Sequence, residues 1–279
     1  MRICLLTPDP DHPLLAATTA LLTPHHQVEW LDPQGCDDFP ERFPDPSSLA
    51  DVYLLKTRTP RALALARYLE THGAPVLNSA SATALCQDRT AMADVARRAG
   101  LPFVATRTEP SLAPLVAAGE PATPVVVKSR HSRRHDLVAR VDDAARLREL
   151  AARWPDEPVV VQPFAPNDGW DHKLWVVADQ VFAALRRSEL ADSVPGERTR
   201  TFGPGELPAG WADLARRVGE VFALDVYGVD LLDAGGTPVI VDINAFPGIR
   251  GQSGAPEALA ALALRTAAGS RRPRVPAAP

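Results

Sequence analysis

The stretch "YGVDLLDAGGTPVIVDIN", Tyr227 to Asn244, constrains the fold most. Two apolar runs flank "DAGGTP", whose glycines and proline mark a chain reversal. The pattern predicts two adjacent strands. Asp230 lies inside the first run, where an unpaired charge would be costly, and Asp242 interrupts the second. Asp242 and Asn244 are two residues apart, so they leave their strand on one face. Oxygen ligands converging from neighbouring strands suit Mg²⁺, which takes a few carboxylates beside substrate phosphates. No His or Cys accompanies them, which disfavours zinc. Strand-end capping, or pairing with arginines, would satisfy the same spacing.

Upstream, strand and helix patterns alternate. "RICLLTP" reads as a buried first strand, "HPLLAATTALLTPH" as a helix, and "HQVEWLDP" as a second strand. "FPERFPDPSS" is a loop. "ADVYLLKTRTP" is a strand ending at Lys56, and "PRALALARYLETHG" is an amphipathic helix closed by Gly73. With "APVLN" this makes a small parallel α/β domain over residues 1–80. It lacks GxGxxG, so nothing supports dinucleotide binding. "SASATALCQDRTAMADVARRAGLP" reads as one helix. "ATPVVVKS" and "DLVARV" pair around the basic run "SRHSRRHD". A helix, the strand "EPVVVQPF" and a hairpin turning at Ala178–Asp179 follow. Residues 191–207 read as a mobile loop, and "GWADLARRVGEVFAL" and "APEALAALALRTAA" as helices. The tail, 269–279, has no apolar periodicity and is expected to be disordered.

The formal net charge of -4 argues against a nucleic-acid partner, because sequence-independent binders carry a basic excess. Cys4, Cys36 and Cys86 are far apart and odd in number, which fits reduced thiols in the cytoplasm. The apolar run at the N-terminus is too short for a signal peptide, and no stretch is expected to enter a membrane.

"GVDLL…VIVDINAFPGIRG" resembles the signature at the end of ATP-grasp enzymes. The resemblance covers about residues 78–255 and implies two α+β lobes, 81–160 and 161–268, behind an N-terminal Rossmann-like parallel α/β domain. It implies ATP and Mg²⁺ (or Mn²⁺), with Asp230, Asp242 and Asn244 as metal ligands. Lys128, after "PVVV", matches the family's phosphate-contacting lysine, and Arg89 falls where relatives carry a second phosphate-reaching cation. Gln162 and Phe164, in "VVVQPF", match the adenine-contacting hinge, although Pro163 stands where the family often has Glu. Arg187, after the hinge, would steady an acyl phosphate or a ligand carboxylate, with Arg186 as its alternative and a surface ion pair as the plain reading, and Asn244 would touch both the metal and the transferred phosphate.

The basic run departs from the family's glycine-rich loop. Side-chain cations can replace backbone N–H groups against an anion. Arg130, His131, Arg133, Arg134 and His135 are therefore candidates to meet ligand, against the alternative of a solvated charge run. Lys56, His135, Lys173 and Gly248 are candidates for acceptor binding; a snorkelling lysine is the plain alternative for either Lys. Ribosomal-protein glutamate ligases are similar in layout, and ATP-grasp inositol-phosphate kinases are similar around Lys56, His135 and Lys173. The resemblance thus implies a carboxylate–amine ligase acting through an acyl phosphate on a small-molecule or peptide acceptor. A kinase for an anionic polyol is the alternative, and association between copies of the chain stays open.

Overall fold

A computed structural model of the chain describes residues 1–35, 49–119, 124–188, 190, 199–202 and 206–276. The expected loop at 39–48 and most of the loop at 191–207 lie outside the described residues.

The first sheet is built from β1 (Arg2–Leu6), α1 (Pro13–Leu22), β2 (Gln27–Leu31), β3 (Val52–Leu55), α2 (Pro60–Thr71) and β4 (Val76–Leu77). Its strands run parallel in the order β2-β1-β3-β4. The central pair, β1 and β3, is almost wholly buried, which explains the continuous apolar runs rather than alternation. Thr59 caps α2 by accepting the Ala62 N–H, and Pro60 sits at its first turn, where a missing N–H costs nothing.

The segment expected as one helix is two, α3 (Ala80–Leu85) and α4 (Arg89–Arg98). Asp88 breaks the run because its carboxylate caps α4, accepting the N–H groups of Thr90 and Ala91. Next come β5 (Arg107–Glu109), α5 (Ala113–Ala118), β6 (Val125–Ser129), β7 (Val138–Val141), α6 (Ala144–Arg153) and β8 (Val159–Pro163). The four strands form an antiparallel sheet, β5-β8-β6-β7. Its inner face packs on α5 and α6 through Leu112, Val127, Leu147 and Leu150.

The third sheet holds β9 (Trp170–Val177), β10 (Gln180–Arg187), β11 (Thr199–Thr201), β12 (Val226–Asp233) and β13 (Pro238–Ala245), with α7 (Trp211–Phe222) and α8 (Ala255–Ala267). The order is β11-β10-β9-β12-β13, all antiparallel. Alternation sorts its faces. Leu174, Val176, Val229, Leu231 and Ile243 pack on Trp211, Val218 and Phe222 of α7. Gly219 on α7 leaves room for Tyr227: a Cβ there would lie 2.2 Å from the tyrosine hydroxyl. The opposite face carries Asp171, Lys173, Asp230, Asp242 and Asn244.

The first and third sheets are joined by a buried asparagine. The Asn78 side chain accepts the N–H groups of Asp225 (2.7 Å) and Val226 (2.8 Å) and donates to the Val226 carbonyl. Asn78→Ala would orphan two buried N–H groups and open a small void. The expected loss is about 2–4 kcal/mol, read as a lower urea midpoint at an unchanged slope. A midpoint equal to the parent's would remove this joint from the account of stability.

The tail differs from expectation. Arg271 pairs with the fully buried Asp225 at 2.9 Å, and the Arg274 backbone N–H donates to the same carboxylate at 2.9 Å. The anchor is ionic, so apolar periodicity carried no sign of it.

Candidate functional site

Asp230 and Asp242 face each other directly across β12 and β13, and Lys173 on β9 faces Asp230 from the other side. Lys173, Asp230 and Asp242 thus form one row across three strands, with Asn244 one step along. The Lys173 Nζ reaches Asp230 at 2.7 Å and Asp171 at 3.6 Å. A bulge follows Asp230: the register moves from Asp230↔Asp242 to Leu231↔Ile240, so Val241 is skipped. Its carbonyl is left over from the ladder and accepts the Lys128 Nζ at 2.8 Å. Through this contact β6 of the second sheet reaches β13 of the third.

Arg89, at the start of α4, is equally buried. Its guanidinium donates to Asp136 at 2.7 Å, to the Ser129 carbonyl at 2.8 Å and to Asp242 at 3.3 Å. Burial pushes the Asp242 carboxyl up, but Arg89 and Lys128 outweigh burial and hold it below its ordinary value. For Asp230 burial wins over Lys173, and its pKa is raised. Burial likewise pushes Lys128 down against the pull of Asp242. Lys173 stays above its usual value because Asp230 and Asp171 overcome burial.

These groups line a cavity of about 430 Å³ between the second and third sheets. Gln162, Pro163 and Phe164 form one wall, beside the apolar Val104, Val126 and Leu232. The Gln162 amide donates to the Thr106 hydroxyl at 3.1 Å, which fixes its orientation. A second cavity, about 350 Å³, lies beneath the segment 244–248. Lys56, Arg58, Phe246 and Gly248 line it, and Asn244 and Arg58 border both cavities.

The structure therefore brings together Arg89, Lys128, Gln162, Phe164, Lys173, Asp230, Asp242 and Asn244, and sets Lys56 and Gly248 in the adjoining cavity. Two expected residues lie elsewhere. Arg187 pairs across from Trp170 and places its guanidinium 4.7 Å from that ring. Arg186 has the strand parity of Asp171 and lines the first cavity instead. His135 sits exposed at a left-handed turn position, φ 59°, and lines neither cavity; Ser132, Arg133 and Asp136 do. Much of the basic run is structural. Arg130 grips Asp88 with a shortest contact of 2.7 Å, and Arg133 grips Glu157 through two bonds of 2.7 Å.

Sequence reasoning missed Arg58, Asp136 and Asp171. Arg58 shares the parity of Lys56 and was legible on that ground. The lysine count is a stronger signal. The chain has three lysines, Lys56, Lys128 and Lys173, against 27 arginines, and all three lysines line these cavities.

The donor set fits a divalent cation that keeps waters and phosphate oxygens in its shell. Two carboxylates and an amide oxygen project from one sheet face, all hard donors. Among the described residues, no cluster of three or more His, Cys, Asp or Glu side chains forms a metal cage. Both carboxylates are neutralised by cations, Asp230 by Lys173 and Asp242 by Arg89, which an incoming phosphate chain could draw away.

Among the described residues, no helix is long and apolar enough to cross a membrane. Among solved structures, the chain is similar to a RimK-domain ATP-grasp protein from Sphaerobacter thermophilus, with TM-score 0.73 and 24% identity over 94% of this chain and 99% of that one. It also resembles the ATP complex of D-alanine–D-alanine ligase from Bacillus anthracis, with TM-score 0.71 and 14% identity over 97% of this chain and all of that one. A probable alpha-L-glutamate ligase 2 from Shewanella sp. (strain W3-18-1) is 28% identical over 203 residues. That match takes in 69% of this chain and 66% of the relative, just under two thirds of its length. Residues 107–259, over half of the chain, match the RimK-like ATP-grasp domain, and the chain belongs to that family.

Proposed function

We propose that the chain is an ATP- and Mg²⁺-dependent carboxylate–amine ligase acting through an acyl phosphate. One observation carries this reading: Arg89, Lys128 and Lys173 meet Asp230, Asp242 and Asn244 in one cavity between two sheets. Such a site can hold a polyphosphate and stabilise its transfer without a covalent nucleophile on the protein. The named relatives are ligases, which favours this reading over a polyol kinase.

Gln162, Pro163 and Phe164 border the adenine slot. Lys128 and Arg89 hold the phosphates. Asp230, Asp242 and Asn244 hold the cation, which when bound neutralises phosphate oxygens and draws charge from the transferring group. The substrate carboxylate oxygen attacks the γ-phosphorus, the bond to the bridging oxygen breaks, and ADP leaves with that electron pair. Arg186 steadies the acyl phosphate. A neutral amine then attacks the acyl carbon, the C–O bond to phosphate breaks, phosphate leaves, and the new C–N bond sheds its proton to water. The acceptor is a small molecule or peptide, and buried Cys4 and Cys86, both free thiols, suit a reducing cytoplasm.

Hydroxylamine tests the intermediate. With ATP, Mg²⁺ and a carboxylate substrate, it should trap a hydroxamate stoichiometric with ADP. ADP formed together with a stable phosphorylated alcohol would reject the ligase.

A further inference from the structure

The basic run between β6 and β7 ends in its one acid, Asp136, and the rest of the run fixes where that acid stands. Ser129 closes the base of the loop: its backbone N–H donates to the Leu137 carbonyl at 2.8 Å, and its hydroxyl accepts the Leu137 N–H at 2.9 Å. Arg130 is tied to Asp88 and Arg133 to Glu157, and the Arg133 guanidinium lies 5.9 Å from the centre of the Trp154 ring. His135 makes its left-handed turn one residue before Asp136. The target of the Asp136 carboxylate is Arg89. Nη1 of that guanidinium donates to Asp136 at 2.7 Å and to the Ser129 carbonyl at 2.8 Å, so both its hydrogens are spent. Nη2 reaches Oδ2 of Asp242 only at 3.3 Å, long for a charge-assisted bond, and the buried Nε has no partner. Arg89 therefore leans towards Asp136 and away from Asp242. The Oδ1 of Asp242 accepts the Ile243 N–H at 3.1 Å, so Oδ2 is the oxygen that Arg89 and a divalent cation would share. An arginine seated squarely on Oδ2 would compete with the cation for it.

We propose that Asp136 is a positioning residue: it holds the Arg89 guanidinium off Asp242, so that Oδ2 stays open to the divalent cation until phosphate takes Nη2. The proposal rests on the metal site of the ligase reading. The basic run is then scaffolding for an acid rather than a clamp on the ligand.

The test is a binding cycle. Mn²⁺, in place of Mg²⁺, is titrated into the protein without nucleotide, and the free ion is read by electron paramagnetic resonance. The parent should bind the ion, and Asp242→Asn should abolish that binding. Asp136→Asn keeps the shape and an acceptor oxygen but leaves Asp242 as the charged partner of Arg89. It should weaken Mn²⁺ binding about tenfold, the difference between a charge-assisted and a neutral hydrogen bond. In an Arg89→Gln background no guanidinium competes, and the same substitution should cost at least about fivefold less. Equal weakening in both backgrounds would mean that the Asp136 charge acts on the ion directly, and it would overturn the proposal. So would parental Mn²⁺ affinity in Asp136→Asn, or a parent that binds no Mn²⁺ at Asp242. A crystal structure of Asp136→Asn gives a second reading that needs no Arg89 variant. Arg89 Nη2 should close on Asp242 Oδ2 from 3.3 Å to about 2.8 Å, and an unchanged separation contradicts the role. Neither measurement needs turnover, so a protein that shows the coupling yet traps no hydroxamate would sink the ligase reading and leave Asp136 its role.

Discussion

Asp242→Asn is expected to lower turnover by about 10³-fold while the chain stays folded. The substitution keeps the shape of the side chain and removes its charge. Asp242 is the one carboxylate in the row held ionised by two buried cations, Arg89 and Lys128. Its loss acts twice. It removes an oxygen donor that the cation needs in ionised form. It also removes the main force that keeps the buried Lys128 charged, so Lys128 falls further below its ordinary pKa. The fold should survive, because Arg89 keeps Asp136 at 2.7 Å and the Ser129 carbonyl at 2.8 Å. ADP release by a variant with parental melting behaviour is the measurement. More than about a tenth of the parental rate would contradict the assignment.

Lys128→Met is expected to lower kcat/KM for ATP by about 10²-fold to 10³-fold. Methionine replaces the apolar stem and not the charge, so packing within β6 is preserved. The variant also leaves the Val241 carbonyl without its donor, at a cost of about 1–3 kcal/mol. That stability loss is separable, because it shows in the urea midpoint, whereas the phosphate contact shows in nucleotide binding. Competition against a fluorescent ATP analogue reads the second directly. Unchanged ATP affinity together with near-parental turnover would remove Lys128 from the phosphate site.

Several of these features were legible in the sequence, each for a physical reason. An acid inside an apolar strand is rare enough to mark itself, and period two put Asp242 and Asn244 on one face. The lysine ending "PVVV" and the parallel domain before it followed from strand and helix patterns. What escaped depended on neighbours far along the chain. The bulge at Val241 is set by pairing between β12 and β13, and no local pattern announces it. The choice between Arg186 and Arg187 turns on strand parity, which only the register with Asp171 and Trp170 resolves. The basic run looked like a ligand clamp because its partners, Asp88 and Glu157, lie 42 and 24 residues away. The break between α3 and α4 was hidden because Asp88 both ends one helix pattern and caps the next.

The central claim is that this cavity activates a carboxylate by phosphorylating it. The direct measurement follows oxygen. A substrate labelled with ¹⁸O in its carboxylate is incubated with ATP, Mg²⁺ and an amine acceptor, and the released phosphate is analysed by mass spectrometry. The account predicts one ¹⁸O atom in each phosphate released, matched by one ADP and one amide bond. Unlabelled phosphate, or ADP formed with the phosphoryl group retained on an organic product, would contradict it.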